Sequence, residues 1–170
     1  NHWEISQVTN ILNAMLPSLS AWDELEQRVL TRCRRLIFAD NAFHCLRAQP
    51  FMLGAANRLQ FLLERLDHFT GCFDDYGKRN EEGNAIYQDF FTGRKGRGGR
   101  GAPFSDSSDD EKRVFEKALT FPHPEVPGES LFCPWHGKTQ TPQLRFHFSW
   151  PITVDQPVYV VYIGPKLTKR

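Results

Sequence analysis

The chain has 170 residues and a formal net charge of +1, and its fourteen Phe and four Trp supply enough apolar surface for a hydrophobic core. The balanced charge excludes a chain that is basic throughout, so affinity for a polyanion must come from local clusters of cations. No apolar run approaches the roughly 20 residues that span a bilayer, so we expect no membrane partner.

The first seventy residues carry apolar side chains at helical spacing, which predicts a helical bundle over residues 1–70. Helices are expected over 3–16, over 21–38, where acidic residues come first and basic residues last, and over 51–69, with a short helix over 41–49. Because the chain begins with Asn1 rather than Met, we expect it to be part of a longer protein.

The four cysteines are scattered through the sequence and include no CxxC pair. That distribution is typical of free, buried thiols rather than of a disulfide framework or a zinc ribbon. We therefore expect a reducing, cytoplasmic location.

Residues 71–109 are expected to form a polar loop region, interrupted by a segment over 85–91 that fits either a helix or a strand. Within this region, residues 94–101 comprise four cations and four glycines, a composition that predicts an exposed, flexible loop. Backbone N–H groups and guanidinium groups both bind phosphate oxygens. The predicted nucleic-acid contacts of the loop are Arg94, Lys95, Arg97 and Arg100, although a simple soluble linker has the same composition.

A helix is predicted after the acidic run over 105–111, with Ser107 or Ser108 as its N-cap. It opens a unit over 110–170 in which that helix packs on a twisted antiparallel sheet of three or more strands. The predicted fold class is therefore α+β, with the helical bundle first and the sheet last.

Residues 144–150 alternate between large apolar and polar side chains. Side chains of a strand alternate between its two faces, so Arg145 and His147 are expected on the face opposite Phe146 and Phe148. A half-buried strand with polar residues facing water has the same pattern, but a cation and a titratable base about 7 Å apart on one face also suit catalysis.

We predict that five side chains of the C-terminal strands form one cationic cleft. RNA cleavage without a metal needs a base for the 2′-hydroxyl, cations for the charged phosphorane and an acid for the leaving oxygen. The two histidines would exchange the proton and would have to open onto a common solvent-filled hollow, and the cations would hold the phosphate. The predicted catalytic residues are His136, His147, Arg145, Lys138 and Lys166, and no cofactor is required.

Cys133 and His136 have the CxxH spacing of metal sites, and His147 is a candidate third ligand. A second close pair of ligands is missing, so a structural zinc site would need Cys72 or His123 to arrive by folding. No metal is assigned on this basis.

An arginine in the strand at Arg145 is followed by a second, apolar strand over 158–164 that ends in Gly, and then by Lys166, Lys169 and Arg170. This order resembles the end of RelE/ParE-type toxins over about residues 110–170. The resemblance implies a small α+β domain with a twisted antiparallel sheet; many such toxins cleave mRNA, and some act on other targets. The characteristic terminal Tyr of the family is absent, and the first seventy residues have no counterpart in it.

The sequence therefore predicts a nucleic-acid-directed domain, with metal-independent RNA cleavage by a toxin-like or phage-defence effector as the first hypothesis. Lys169 and Arg170 are assigned to nucleic-acid binding. The expected partners are RNA and a protein partner or neutralising antitoxin. The alternatives are a non-catalytic nucleic-acid-binding module and a protein-interaction module of a larger assembly.

Overall fold

The computed structural model describes residues 17–92 and 101–169. The predicted helix over 3–16 lies outside the described residues. So do the four predicted phosphate-binding residues of the Gly/Arg-rich loop, and the last residue of the basic tail: Arg94, Lys95, Arg97, Arg100 and Arg170.

The fold is mixed α+β, with most helices in the N-terminal half and most strands in the C-terminal half, as the sequence predicted. The segment over 85–91 that fitted either state is helical. The helices are α1 (Trp22–Arg32), α2 (His44–Arg47), α3 (Leu53–Thr70), α4 (Glu81–Ile86), a π-helix that continues it (Tyr87–Thr92), α5 (Asp109–Val114) and a 3₁₀ turn (Lys117–Leu119).

The strands form a five-stranded sheet and a separate two-stranded hairpin. The sheet has the order β1-β7-β6-β5-β2, and the hairpin consists of β3 and β4. The strands are β1 (Leu36–Phe38), β2 (Phe104–Ser105), β3 (Thr120–Pro122), β4 (Ser130–Phe132), β5 (His136–Lys138), β6 (Leu144–Phe148) and β7 (Val158–Pro165).

The predicted helix over 21–38 is wrong at its end, because residues 36–38 form strand β1. Strand β1 pairs in parallel with β7, so the sheet is mixed and not wholly antiparallel as predicted. Helix α1 ends at Arg32, and three residues later the backbone N–H of Arg35 donates to Asp67 Oδ1 at 2.7 Å. Pairing with a buried strand here outweighs local helix propensity.

One core joins the two halves of the chain. The apolar face of β6, with Phe146 and Phe148 fully buried, belongs to the same buried cluster as the stripe of α3 that includes Leu59, Leu62 and Leu66. This core extends across the predicted boundaries at residues 70 and 110. The opposite face of the sheet is partly covered by the β3–β4 hairpin.

The start of α5 confirms the predicted cap. The Ser108 hydroxyl accepts a hydrogen bond from the Glu111 backbone N–H at 3.2 Å, and the Glu111 carboxylate accepts one from the Ser108 backbone N–H at 3.3 Å. This capping box satisfies two donors that the first turn of a helix otherwise leaves free. It also positions Glu111 beside the residues that follow β7, where its carboxylate contacts Lys166 and Thr168.

No helix within residues 17–92 or 101–169 is long and apolar enough to cross a membrane.

Gly137 lies opposite Phe146 on neighbouring strands, and the aromatic ring occupies the space above the glycine. A Cβ atom at Gly137 would lie 2.2 Å from Phe146 Cζ, and Phe146 is fully buried, so the ring has no room to move. We expect Gly137→Ala to lower the free energy of unfolding by about 1–3 kcal/mol, as measured by urea denaturation.

Gly54→Ala is the matched control, because an added Cβ there meets nothing within 4 Å in the first turn of α3. Alanine is the better helix former, so this variant should be at least as stable as the parent chain. A Gly137→Ala variant of unchanged stability would contradict the described packing of Phe146.

Candidate functional site

The polar face of β6 meets those of β5 and β7 in two rows of side chains. One row pairs His136 with His147, and Tyr162 follows on β7. The next row pairs Lys138 with Arg145, and Gly164 follows on β7. The four polar residues predicted from strands β5 and β6 therefore lie on one face of the sheet and are immediate neighbours.

The Lys138–Arg145 row places two cations next to each other. Neither forms an ion pair with a carboxylate of the described residues, and Arg145 Nη1 is buried without a hydrogen-bond acceptor there. Burial lowers the pKa of both groups. Arg145 lowers the pKa of Lys138 further, whereas the Glu111 carboxylate offsets part of the effect of burial on Arg145. A buried donor on a charged group without an acceptor costs free energy, so the row suits an anionic ligand.

Two more of the predicted cations, Lys166 and Lys169, lie beyond the end of β7, beside α5. Lys166 Nζ lies 3.1 Å from Glu111 Oε1, which also accepts a 2.7 Å hydrogen bond from the Thr168 hydroxyl. The hydrogen bond from Thr168 and those from Lys166 and Ser108 hold the Glu111 pKa at about 2, so this carboxylate is ionised. Lys166 and Lys169 line an open cavity of about 520 Å³ in this region. The structure therefore pairs Lys166 with a carboxylate, unlike Lys138 and Arg145.

The two imidazole rings lie side by side, with their centroids 5.4 Å apart. His136 is 3% exposed and His147 is fully buried, with the ring of Phe121 on the hairpin 6.1 Å from that of His147. The expectation that both rings open onto a solvent-filled hollow is therefore wrong. The Pro-rich hairpin over 120–132 covers this end of the polar face.

Hydrogen bonds to main-chain carbonyls set the tautomer of each ring. Nδ1 of His136 donates to the Pro134 carbonyl at 3.2 Å, and Nδ1 of His147 donates to the Cys133 carbonyl at 2.9 Å. Nε2 of each ring is therefore the basic atom. Burial lowers the pKa of His136 to about 3, with further lowering by Arg145, and burial lowers that of His147 to about 4. Both rings are neutral at physiological pH.

Ser105 on the edge strand β2 connects the two rows, a role that the sequence did not reveal. Its hydroxyl lies 3.3 Å from His136 Nε2 and 3.5 Å from Lys138 Nζ. Strand β2 has only two residues, too few for an alternating pattern, and it lies in a run that reads as the start of a helix. No sequence signal singles out Ser105 among the neighbouring serines.

The Gly/Arg-rich loop joins the sheet beside the cationic row. A Cβ atom at Gly101 would lie 3.8 Å from Lys138 Nζ, so the chain enters β2 directly next to that ammonium group. The loop residues themselves lie outside the described residues, and their contact with nucleic acid stays a prediction.

Cys133, His136 and His147 do not form a metal-ligand cluster. Within the described ranges, His68, Cys72 and Glu82 alone place three ligand atoms within 4.8 Å of one another. The candidate ligand Cys133 instead offers its carbonyl to His147 and keeps a buried thiol, whose pKa burial raises to about 12.

No family model, curated protein or solved structure matches this chain. The resemblance to RelE/ParE-type toxins therefore stays a prediction.

The two neutral histidines make the stability of the fold depend on pH. Their pKa values are about 3 and 4 when folded and about 6.5 when unfolded, so below pH 6.5 the unfolded chain binds more protons than the folded chain. Above about pH 6.5 both states leave these two histidines unprotonated, so the histidines should not make the free energy of unfolding depend on pH. The free energy of unfolding should fall by up to about 1.4 kcal/mol per histidine for each pH unit between about 6 and 4.5.

Urea denaturation at several pH values measures this slope. His136→Gln should make it shallower because one titrating group is lost, whereas Gly54→Ala, which removes no titrating group, should leave it unchanged. Equal slopes in the parent chain and the His136→Gln variant would contradict a buried, neutral His136.

Proposed function

We propose that the chain is a nucleic-acid-directed domain that binds RNA phosphates at Lys138 and Arg145 and cleaves the strand without a metal. The observation that carries this proposal is the buried Nη1 donor of Arg145, which has no acceptor among the described residues. Lys138 lies across from Arg145 and forms no ion pair with a described carboxylate. A phosphate supplies the missing acceptors and charge.

The surroundings of this pair suit a phosphate in a longer strand. Arginine binds phosphate with two parallel hydrogen bonds, while lysine contributes a compact positive charge. The Gly/Arg-rich loop enters the sheet beside Lys138, so its four cations lie within a few residues of the proposed phosphate site along the chain. Backbone binding of this type needs no particular base sequence.

The proton transfers are assigned to Ser105, His136 and Lys138. In the proposed reaction, the 2′-hydroxyl of RNA gives its proton to Ser105 Oγ as the serine proton passes to His136 Nε2. The 2′-oxygen attacks phosphorus, Arg145 stabilises the charged phosphorane, and Lys138 gives a proton to the departing 5′-oxygen. The products are a 2′,3′-cyclic phosphate and a 5′-hydroxyl end.

In this reaction His147 holds His136 in place and does not contact RNA. His147 is fully buried and its ring lies beside that of His136. Lys166 is paired with Glu111 and takes no part in proton transfer.

Binding without cleavage is the second candidate function. Burial favours it, because an imidazole with a pKa of about 3 is a weak base, and a general base works best with a pKa near the working pH. The same cationic row then serves as a phosphate subsite of a binding module.

The proposed subsite predicts the effect of removing each cation on RNA affinity. Arg145→Gln and Lys138→Gln should each weaken binding of a single-stranded RNA about tenfold to a hundredfold. A hydrogen bond to a charged group contributes about 1.5–3 kcal/mol, which corresponds to this loss of affinity. Each variant should also reduce the slope of log affinity against log salt by about 1. Fluorescence anisotropy at several salt concentrations measures both quantities.

Lys117→Gln is the matched control, because Lys117 is an exposed cation in the 3₁₀ turn outside the polar face of the sheet. It should change the affinity little. Equal affinities for the parent chain, Arg145→Gln and Lys138→Gln would refute the subsite.

Cleavage is tested with one end-labelled RNA and the same RNA carrying a single 2′-deoxy residue at the cut position. The proposed reaction gives cyclic phosphate ends, continues in EDTA and stops at the deoxy residue. Ser105→Ala and His136→Gln should reduce cleavage by at least about a hundredfold, the lower range of general acid–base contributions, while RNA affinity is kept.

Each variant is first shown to have a normal unfolding midpoint, and Lys117→Gln again serves as the control. Salt-sensitive RNA binding by the parent chain with no products would reject the reaction and leave the second candidate function. Cleavage at the deoxy residue would contradict attack by the 2′-oxygen.

A further inference from the structure

Three side chains with metal-ligand atoms meet where α3 ends and α4 begins. His68 lies in the last turn of α3, Cys72 is the second residue after that helix ends, and Glu82 lies in the first turn of α4. One ligand atom from each lies within 4.8 Å of the other two. They are an imidazole, a thiol and a carboxylate, the three ligand types that proteins use for zinc.

The helix geometry brings the first two ligands together. His68 and Cys72 are four residues apart, a spacing that places side chains on one face of a helix. The helical turn continues to Cys72, whose backbone N–H donates to the Phe69 carbonyl at 3.0 Å. The Cys72 thiol lies 3.3 Å from the His68 carbonyl, so the sulfur lies along the end of the helix.

The third ligand is brought back by a closed loop. Phe73 and Arg79 form a β-bridge, and the Asn80 backbone N–H donates to the Cys72 carbonyl at 2.9 Å. The Asn80 side chain then caps α4 by accepting from the Gly83 backbone N–H at 2.8 Å. The position of Glu82 is therefore determined by hydrogen bonds that do not involve the side chains of His68 or Cys72.

Gly83 allows α4 to approach the thiol this closely. A Cβ atom at position 83 would lie 2.8 Å from Cys72 Cβ and 3.1 Å from the Cys72 carbonyl oxygen. Any larger residue would separate Glu82 from Cys72.

The geometry points to a second site, in which His68, Cys72 and Glu82 bind a divalent ion of the zinc class. His68 Nε2 and Glu82 Oε1 are already 2.8 Å apart, so small movements accommodate bonds of about 2.0–2.3 Å to a shared ion. Cys72 is buried and closes one side, whereas His68 and Glu82 are exposed and leave a fourth position for water. The thiolate disfavours Mg²⁺ and Ca²⁺, which prefer oxygen ligands. This inference is independent of the RNA site.

Cobalt(II) reports on such a site through its colour. Titrated into the full chain under reducing conditions, Co²⁺ should give the visible bands of a four-coordinate ion and a thiolate-to-cobalt absorption in the near ultraviolet, and Zn²⁺ should displace both. Isothermal titration with Zn²⁺ should show one ion bound per chain. Zn²⁺ should also raise the melting temperature, because an ion that binds only the folded chain stabilises it.

Variants at the three positions identify the ligands. Cys72→Ser should abolish the thiolate absorption. His68→Gln and Glu82→Gln should each weaken Zn²⁺ binding by at least about tenfold, because even the loss of a residue that only hydrogen-bonds to a metal ligand lowers metal affinity by about that factor. The last two positions are exposed, so these variants keep the test decisive if Cys72→Ser fails to fold.

The matched controls are Cys45→Ser, His44→Gln and Glu81→Gln, which replace the same three residue types elsewhere, the last in the same turn as Glu82. These controls should bind Zn²⁺ as the parent chain does. No Zn²⁺ binding by the parent chain, or binding equally strong in the His68→Gln and Glu82→Gln variants, would overturn the site and leave an ordinary ion pair between His68 and Glu82.

Discussion

The pairing of β6 between β5 and β7 is the constraint on which the rest of the structure depends. It directs Phe146 and Phe148 into the core and holds Arg145 and His147 on the opposite face. Because both neighbours of β6 pair with it in fixed register, Lys138 must lie across from Arg145. A shift of one residue would reverse the faces and move two charged or titratable groups into the core. The geometry of the site is thus a consequence of the packing of the core.

The site is also defined by an imbalance of charge. Lys166 has a carboxylate partner in Glu111, whereas Lys138 and Arg145 are partly buried, adjacent and without one among the described residues. Like charges on paired strands destabilise a sheet, and burial adds a desolvation cost. An anion bound in this row would relieve both costs, and that relief would add to the free energy of binding. The neutral, covered histidines do not add to the positive charge of the row.

How much of this the sequence could reveal depends on the residue. The alternation over 144–150 correctly predicted which side chains of β6 face each way, because burial of one face imposes a period of two on the sequence. The N-cap at Ser108 was predictable because its signal, a serine followed by acidic residues, lies within a short stretch of sequence. The strand over 36–38 was not, because only its pairing with β7 distinguishes it from the end of a helix. The burial of His147 follows from the hairpin over 120–132, whose prolines and few apolar residues show no periodicity. Ser105 and the meeting of His68 with Glu82 depend on contacts between segments that no local pattern records.

The central claim is that Arg145 binds an RNA phosphate through the donor that has no acceptor among the described residues. Nitrogen-15 NMR of the arginine side chains observes that group directly, because a bound guanidinium gives shifted, slowly exchanging N–H resonances. Addition of a short single-stranded RNA should shift and protect the Arg145 resonances, while those of Arg113, an exposed arginine paired with Asp110, stay as they were. Unchanged Arg145 resonances under conditions where RNA is bound would contradict the account.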